Sequence, residues 1–418
     1  MVTSSNPSDG VSAPRLNDLP ALTGMRYIAA LLVFITHLAV PFMSFDPAAV
    51  PPVPPFRDEG VMNGVYIFIT GTGMAMPFFF MLSGFVLTWS AGRKLRARGF
   101  WRRRLVRIFP NHAVTWVLTM VLYAAVFTPA AGLTHLFLVN TWSTNPSYWL
   151  GANSQAWSLC AELLFYLFFP LLLVWVRRIA DDRLWWWAGA MVAGMLAVCL
   201  VAVYLMPEGS LLQFWFVYFF PPSRLFESVL GMLIARIVQS GRWPKIGFTP
   251  VVALLVVTYL GMVFTPMPYN LTLVPAIPLA LLIGTFAAAN VRGRRTVMGT
   301  KPMVWLGNLS YGFYMIQGVV LYWLRPRILG TQQFDVPTGI ALFVGFIALN
   351  TFLGWVLMKT VEQPMMRRWS RSRKAPARIP DNGHSAGGPQ PTERGSSQPA
   401  DRPTAARVDQ PAKDLGAP

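Results

Sequence analysis

Residues 77–110 read PFFFMLSGFVLTWSAGRKLRARGFWRRRLVRIFP. Its first half, through Ser90, carries no charged side chain; the segment 91–107 then holds Arg93, Lys94, Arg96, Arg98, Arg102, Arg103, Arg104 and Arg107 with no acid. An apolar run that ends abruptly in guanidinium groups is the pattern of a membrane helix emerging on the cytoplasmic side, where Lys and Arg collect. The rest of the chain repeats this pattern. Of its 418 residues 54% are hydrophobic and only 12% charged, against about 25% charged in ordinary globular proteins. The charge is nevertheless lopsided, with 35 Lys+Arg against 17 Asp+Glu and a net +18. A soluble nucleic-acid binder would need a hydrophilic surface for those cations, so no nucleic-acid partner is expected.

Apolar stretches long enough to cross a hydrocarbon core of about 30 Å recur at 22–45, 64–90, 107–128, 157–176, 184–206, 214–238, 247–265, 270–290, 303–324 and 338–360. The sixth is interrupted by Pro221-Pro222, and the split between the seventh and eighth is weakly marked. The first run lacks a small-residue cleavage site and exceeds a signal-peptide core, which predicts a retained helix. Connecting segments alternate in charge. Basic residues fall at 91–107, at Arg177, Arg178 and Arg183, at Arg236, Arg242 and Lys245, and at Arg292, Arg294, Arg295 and Lys301, whereas 129–156, 207–213 and 266–271 hold no Lys or Arg. The expected fold is therefore all-α, a polytopic bundle of about ten spanning helices with both termini cytoplasmic. It occupies residues 21–370, between a polar segment 1–20 and a Pro/Ala/Gly/Ser/Arg-rich tail 371–418, both expected to be disordered. Cys160 and Cys199 lie in apolar runs, which excludes a disulfide framework and a metal knuckle.

A charge inside a spanning helix costs on the order of 2.5–3.5 kcal/mol on insertion scales, so each needs a reason. Arg26 and His37 in the first helix, Glu162 in the fourth, and Arg224 and Glu227 in the sixth stand out. Eleven residues place Arg26 and His37 on one helix stripe, roughly 16 Å apart in rise. Counting from opposite sides puts Glu162 near the depth of His37. Arg224 and Glu227 are i,i+3 neighbours able to pair. Bland readings stand beside these: Arg26 as an interfacial anchor, His37 as a neutral core histidine, Arg224–Glu227 as a structural pair, and the 93–107 cations as a topology signal. Histidine is the natural general base for a hydroxyl, and a carboxylate can orient it or the acceptor.

From Leu19 to Trp369 the chain resembles the acyltransferase-3 family of integral membrane acyltransferases. LPALTGMRYIAALLVFITH resembles its first helix with Arg-x10-His, here Arg26 and His37; PFFFMLSGFVLTWS its Ser-Gly-Phe segment, here Ser83, Gly84 and Phe85; FWRRRLVRIFP its Arg-x-x-Arg element, here Arg104 and Arg107; and AWSLCAELLFYLFFP its Trp-Ser-Leu-x-x-Glu-x-x-Phe-Tyr motif, with Trp157, Ser158, Glu162, Phe165 and Tyr166. SRLFESVLGMLIA, LSYGFYMIQ with Tyr311 and Gln317, and VEQPMMRRW match later landmarks in order. The resemblance implies transfer of an acyl group, commonly acetyl, from acyl-CoA to a hydroxyl. The acceptor would be an envelope carbohydrate or glycolipid, or a macrolide-type metabolite, and the protein would sit as a multi-pass protein in the bacterial inner membrane. His37 and Glu162 are the implied catalytic pair, and Arg26, Arg104 and Arg107 the implied acyl-CoA site. Ser83, Trp157, Tyr166, Arg224, Glu227, Tyr311 and Gln317 are expected in the cavity. Acyl-CoA is a co-substrate, and neither a resident cofactor nor a metal is expected. Ser83 and Ser158 are conceivable acyl relays, helix packing being the alternative. Gln317 departs from the family, whose members usually carry histidine there; glutamine cannot titrate. A rival from another class is a transporter of a lipid-linked or anionic solute, although no internal repeat is visible.

Overall fold

The computed structural model describes residues 19–39, 56–92, 95–123, 128–330 and 332–369. The tail expected to be disordered, and the N-terminal segment through residue 18, lie outside these residues, while Pro20 is already helical. Among the described residues the fold is helical without a strand. Helices α1 (Pro20–Ala39), α2 (Glu59–Thr72), α3 (Ala75–Trp89) and α4 (Ala97–Tyr123) come first. Short α5 (Pro129–Leu136) and α6 (Pro146–Trp149) precede α7 (Trp157–Arg178) and α8 (Leu184–Leu205). Then follow α9 (Leu211–Phe214), α10 (Leu225–Gln239), α11 (Phe248–Gly261) and α12 (Leu273–Val291). The last are α13 (Lys301–Gly318), α14 (Arg325–Leu329), α15 (Val336–Leu357) and α16 (Gln363–Trp369).

Among the described residues, seven stretches are long and apolar enough to cross a membrane: 20–39, 59–89, 97–122, 154–178, 184–205, 269–291 and 336–369. The other expected spans, 214–238, 247–265 and 303–324, are helical too, but interrupted, shorter or more polar. The outer faces of the bundle's helices are apolar, with Trp186, Tyr204 and Leu205 of the 184–205 span and Phe264 of the 247–265 span largely exposed, as suits helices solvated by lipid tails rather than water.

Two departures from the sequence reading, and one interruption it expected, shape the interior. The expected span 64–90 is two helices, because Pro77 has no N–H to give and sits in the first turn of α3. The break lies at Gly73–Met74, and Gly71 packs there against the ring of Tyr259 on α11. The Pro221-Pro222 interruption is likewise real: a π-helical turn (Trp215–Phe219) and a 3-10 turn (Pro221–Arg224) precede α10. Lastly, most of the basic segment read as a loop is helix. α4 begins at Ala97, so Arg104 and Arg107 are one turn apart on a rigid element, a consequence of the good helix propensity of Arg and Leu.

Glycines set the closest approaches. Gly84 on α3 rests against the Ser228 carbonyl of α10, and Gly231 on α10 against the Met81 carbonyl. Small residues permit such backbone contact, which is how helices associate without a hydrophobic drive. A similar contact joins Gly307 on α13 to the Thr23 carbonyl of α1. At the cation-rich end Arg177 donates to the carbonyls of Ala91 and Gly92 at 3.0 and 2.9 Å, tying α7 to the segment after α3.

Candidate active site

Two cavities lie in the bundle, one toward the cation-rich end and one toward the opposite end. The first, about 470 Å³, takes Arg26 from α1, Ser83 from α3, Arg104 and Arg107 from α4, Ser158, Glu162 and Tyr166 from α7, and Tyr311 from α13. The second, about 280 Å³, takes Thr36 and His37 from α1, Trp157 from α7, and Tyr218, Gln155, Asn270 and Tyr322. Thus the Arg26–His37 stripe of α1 faces both, one residue in each.

In the first cavity Ser158, Glu162 and Tyr166 recur at four-residue intervals and form one face of α7. Glu162 Oε1 accepts from Tyr166 Oη and from Ser83 Oγ at 3.3 Å. The guanidinium of Arg104 sits over the rings of Phe100 and Tyr166, 5.8 and 5.9 Å from their centroids. Arg107 forms an ion pair with Glu362, lies 5.8 Å over the Tyr311 ring, and is braced where Asn111 Nδ2 donates to the other oxygen of Glu362 at 3.1 Å. Tyr311 in turn donates to the Ile108 carbonyl at 2.8 Å. Arg26 makes no ion pair among the described residues. Three guanidinium groups therefore meet two carboxylates in a low-dielectric interior, where their excess positive charge attracts anions more strongly than in water.

The second cavity is built from neutral groups. Thr36 and Thr72 share a hydrogen bond, Gln155 Nε2 donates to Tyr322 Oη at 3.4 Å, and the imidazole of His37 has its Nδ1 buried. Aromatic rings cluster beside them: the Trp157 ring lies tilted at 4.9 Å from Tyr218 and edge-on at 4.8 Å from Phe219.

The pairing of His37 with Glu162 expected from matched depth is not made. Depth along a helix does not fix facing: Trp157 turns into the second cavity, while Ser158 and Glu162 turn into the first. Arg224 and Glu227 do pair, at 3.2 Å with both side chains about 1% exposed, but they line neither cavity. The guanidinium lies 5.0 Å from the Phe80 centroid and 5.2 Å from that of Tyr218, so the pair supports one ring from each cavity wall. Gln317 is fully buried and also lines neither. Ser83, Trp157, Tyr166 and Tyr311 all face a cavity. Sequence reasoning passed over Glu362, which sits in a π-helical turn (Met358–Glu362). The signal was an acid at the end of the last apolar run, within VEQP, where π turns and functional groups often coincide.

Fold and site together define a polytopic membrane protein with a guanidinium-lined interior, the class that includes membrane-embedded acyltransferases. The chain belongs to the acyltransferase-3 family: the family model, described as an acyltransferase domain, matches residues 19–359. It is 34% identical to acyltransferase MdmB of Streptomyces mycarofaciens over 387 residues, covering 88% of this chain and 96% of that protein. It is 23% identical to the peptidoglycan O-acetyltransferase OatA of Listeria monocytogenes over 353 residues, 75% of this chain and 51% of the relative. For the O-acetyltransferase OatA of Staphylococcus aureus strain NCTC 8325 the figures are 22%, 397 residues, 84% and 57%. The chain thus spans little more than half the length of the OatA proteins and nearly all of MdmB. No solved structure matches it.

Proposed function

We propose that the protein is an acyl-CoA-dependent O-acyltransferase of the bacterial inner membrane, with both termini cytoplasmic. The observation that carries this reading is the placement of Arg26 and His37 on one face of α1, each in a different cavity of the same bundle. Phosphates of acyl-CoA would lodge among Arg104, Arg107 and Arg26, since guanidinium groups meet phosphate with paired hydrogen bonds. The extended pantetheine arm would carry the thioester up to the partition between the two cavities. From the second cavity His37 takes the proton of the acceptor hydroxyl as its oxygen attacks the thioester carbonyl there. The C–S bond breaks as the ester forms, and the imidazolium returns the proton to the leaving CoA thiolate. Glu162 would hold the hydroxyls of Tyr166 and Ser83 in place on the donor side rather than orient His37.

The acceptor is a hydroxyl on an envelope carbohydrate or glycolipid, or on a macrolide-type metabolite. The aromatic rings around Trp157 suit the apolar face of a sugar. Relatives bearing acyltransferase names leave nothing in favour of the transporter reading.

Acyl-CoA consumption by the purified protein in detergent, with envelope and metabolite extracts as acceptors, tests the reading. Thiol release that needs both acyl-CoA and an extract supports it; no consumption of any acyl-CoA by the wild-type protein overturns it.

A further inference from the structure

Two residues line both cavities, Met76 and Tyr314. Between them the partition is one side chain thick. Phe80 faces the first cavity and Trp157 the second, and the two rings meet edge to face at 6.1 Å. We infer that Met76 and Tyr314 form a septum that sets the length of acyl chain the enzyme accepts. This rests on the donor reading above. With the phosphates held at the cation-rich end, the acyl group is the leading end of the donor and the first part to meet the septum.

The two side chains are unequal partners. Tyr314 is fixed: its hydroxyl is 2.9 Å from Ser158 Oγ and donates to the Gln155 carbonyl at 2.9 Å, and its ring lies 6.3 Å from that of Phe79. These bonds reach across to the start of α7, from residues on both sides of the partition. Met76 has no polar anchor and lies in the first turn of α3, just past the break at Gly73–Met74. An unbranched side chain with three rotatable bonds yields where a bonded tyrosine cannot. A short acyl group fits beside Met76, and each further methylene must displace it or stop.

Binding of CoA, acetyl-CoA, butyryl-CoA and octanoyl-CoA to the full chain in detergent, by calorimetry, reads this without an identified acceptor. In the wild type, affinity is expected to fall from acetyl to octanoyl. In Met76→Ala the two added methylenes of butyryl gain a buried place, worth on the order of tenfold in affinity relative to wild type, while CoA itself binds as before. Met76→Trp works in the opposite direction and weakens acetyl-CoA relative to CoA. Tyr314→Phe keeps the ring, frees it from its bonds, and relaxes the length limit by a smaller factor. If CoA and acetyl-CoA bind the wild type but the length ranking is the same in all folded variants, the septum is overturned and the donor reading survives. If neither binds the wild type, the donor reading fails and the septum with it. Melting temperature and gel-filtration profile identify the folded variants, and the opposed Ala and Trp changes mean that loss of one still leaves a decisive arm.

Discussion

The two cavities share walls from α1, α3, α7 and α13 and differ in nearly every chemical respect. The one at the cation-rich end concentrates ionised groups that hold one another in place, as Glu362 holds Arg107 and Tyr166 with Ser83 holds Glu162. The other has no Asp, Glu, Lys or Arg among its described lining residues, only hydroxyls, amides, rings, aliphatic side chains, a methionine and one imidazole. On the proposed reading the difference is a division of labour. A polyanionic donor would be recognised where guanidinium groups are already held by partial pairing, and proton transfer would fall in the cavity whose described lining holds no carboxylate or guanidinium.

The sharpest way to break this comparison is at His37. If the second cavity is the chemical one, His37→Ala and His37→Gln should each lower kcat by about 10²–10⁴-fold, the range typical for a general acid–base group, with little change in the Michaelis constant for acyl-CoA. Turnover near wild type would strip the second cavity of its chemistry. Next in size is the pair behind both walls. Glu227→Ala leaves Arg224 buried without its counter-charge, a loss of about 3–5 kcal/mol, read as a fall in melting temperature in detergent. A stable variant with impaired turnover would instead move the pair into the site. At the first cavity, Arg104→Ala and Arg107→Ala should each raise the Michaelis constant for acyl-CoA, since a charge-assisted hydrogen bond contributes about 1.5–3 kcal/mol, roughly 10- to 150-fold. An unchanged constant would return these arginines to the role of topology signals.

Much of this contrast was legible before any coordinates. Uncharged runs gave the positions of the helices because a charge in lipid is costly, and the basic connecting segments marked one end of the bundle. The motif residues Arg26, Arg104, Arg107, Ser83, Glu162, Tyr166 and Tyr311 do gather in one place. What failed was facing and one backbone interruption, the break at Gly73–Met74, whereas the Pro221-Pro222 interruption was read correctly. Glu162 was matched to His37 by depth, yet a single residue step from Trp157 to Ser158 turns the chain from one cavity to the other, since neighbours on a helix point about 100° apart. The break before Pro77 could be read from the proline, but its effect, placing Met76 on the partition, needs the packing of α2 and α3 against other helices. Glu362 escaped because a carboxylate at a span end reads as an interfacial residue; only the fold brings Arg107 and Asn111 to it from more than two hundred residues away.

The smallest expected effect tests whether burial, rather than charge pairing as such, separates the interior from the surface. Arg236 and Asp181 form an ion pair at 2.9 Å at the cation-rich end, with the aspartate side chain 44% exposed. It lines neither cavity, and water reaches it. Solvent-exposed pairs contribute about 0–1 kcal/mol, so Asp181→Ala should lower the melting temperature far less than Glu227→Ala and leave the Michaelis constant for acyl-CoA in place. The guanidinium of Arg236 keeps the Val176 carbonyl as an acceptor at 3.3 Å, which further limits the loss. A drop as large as that of Glu227→Ala would mean that the connecting segments at this end lock the helices together, and that the first cavity owes its shape to its rim as much as to the glycine contacts beneath it.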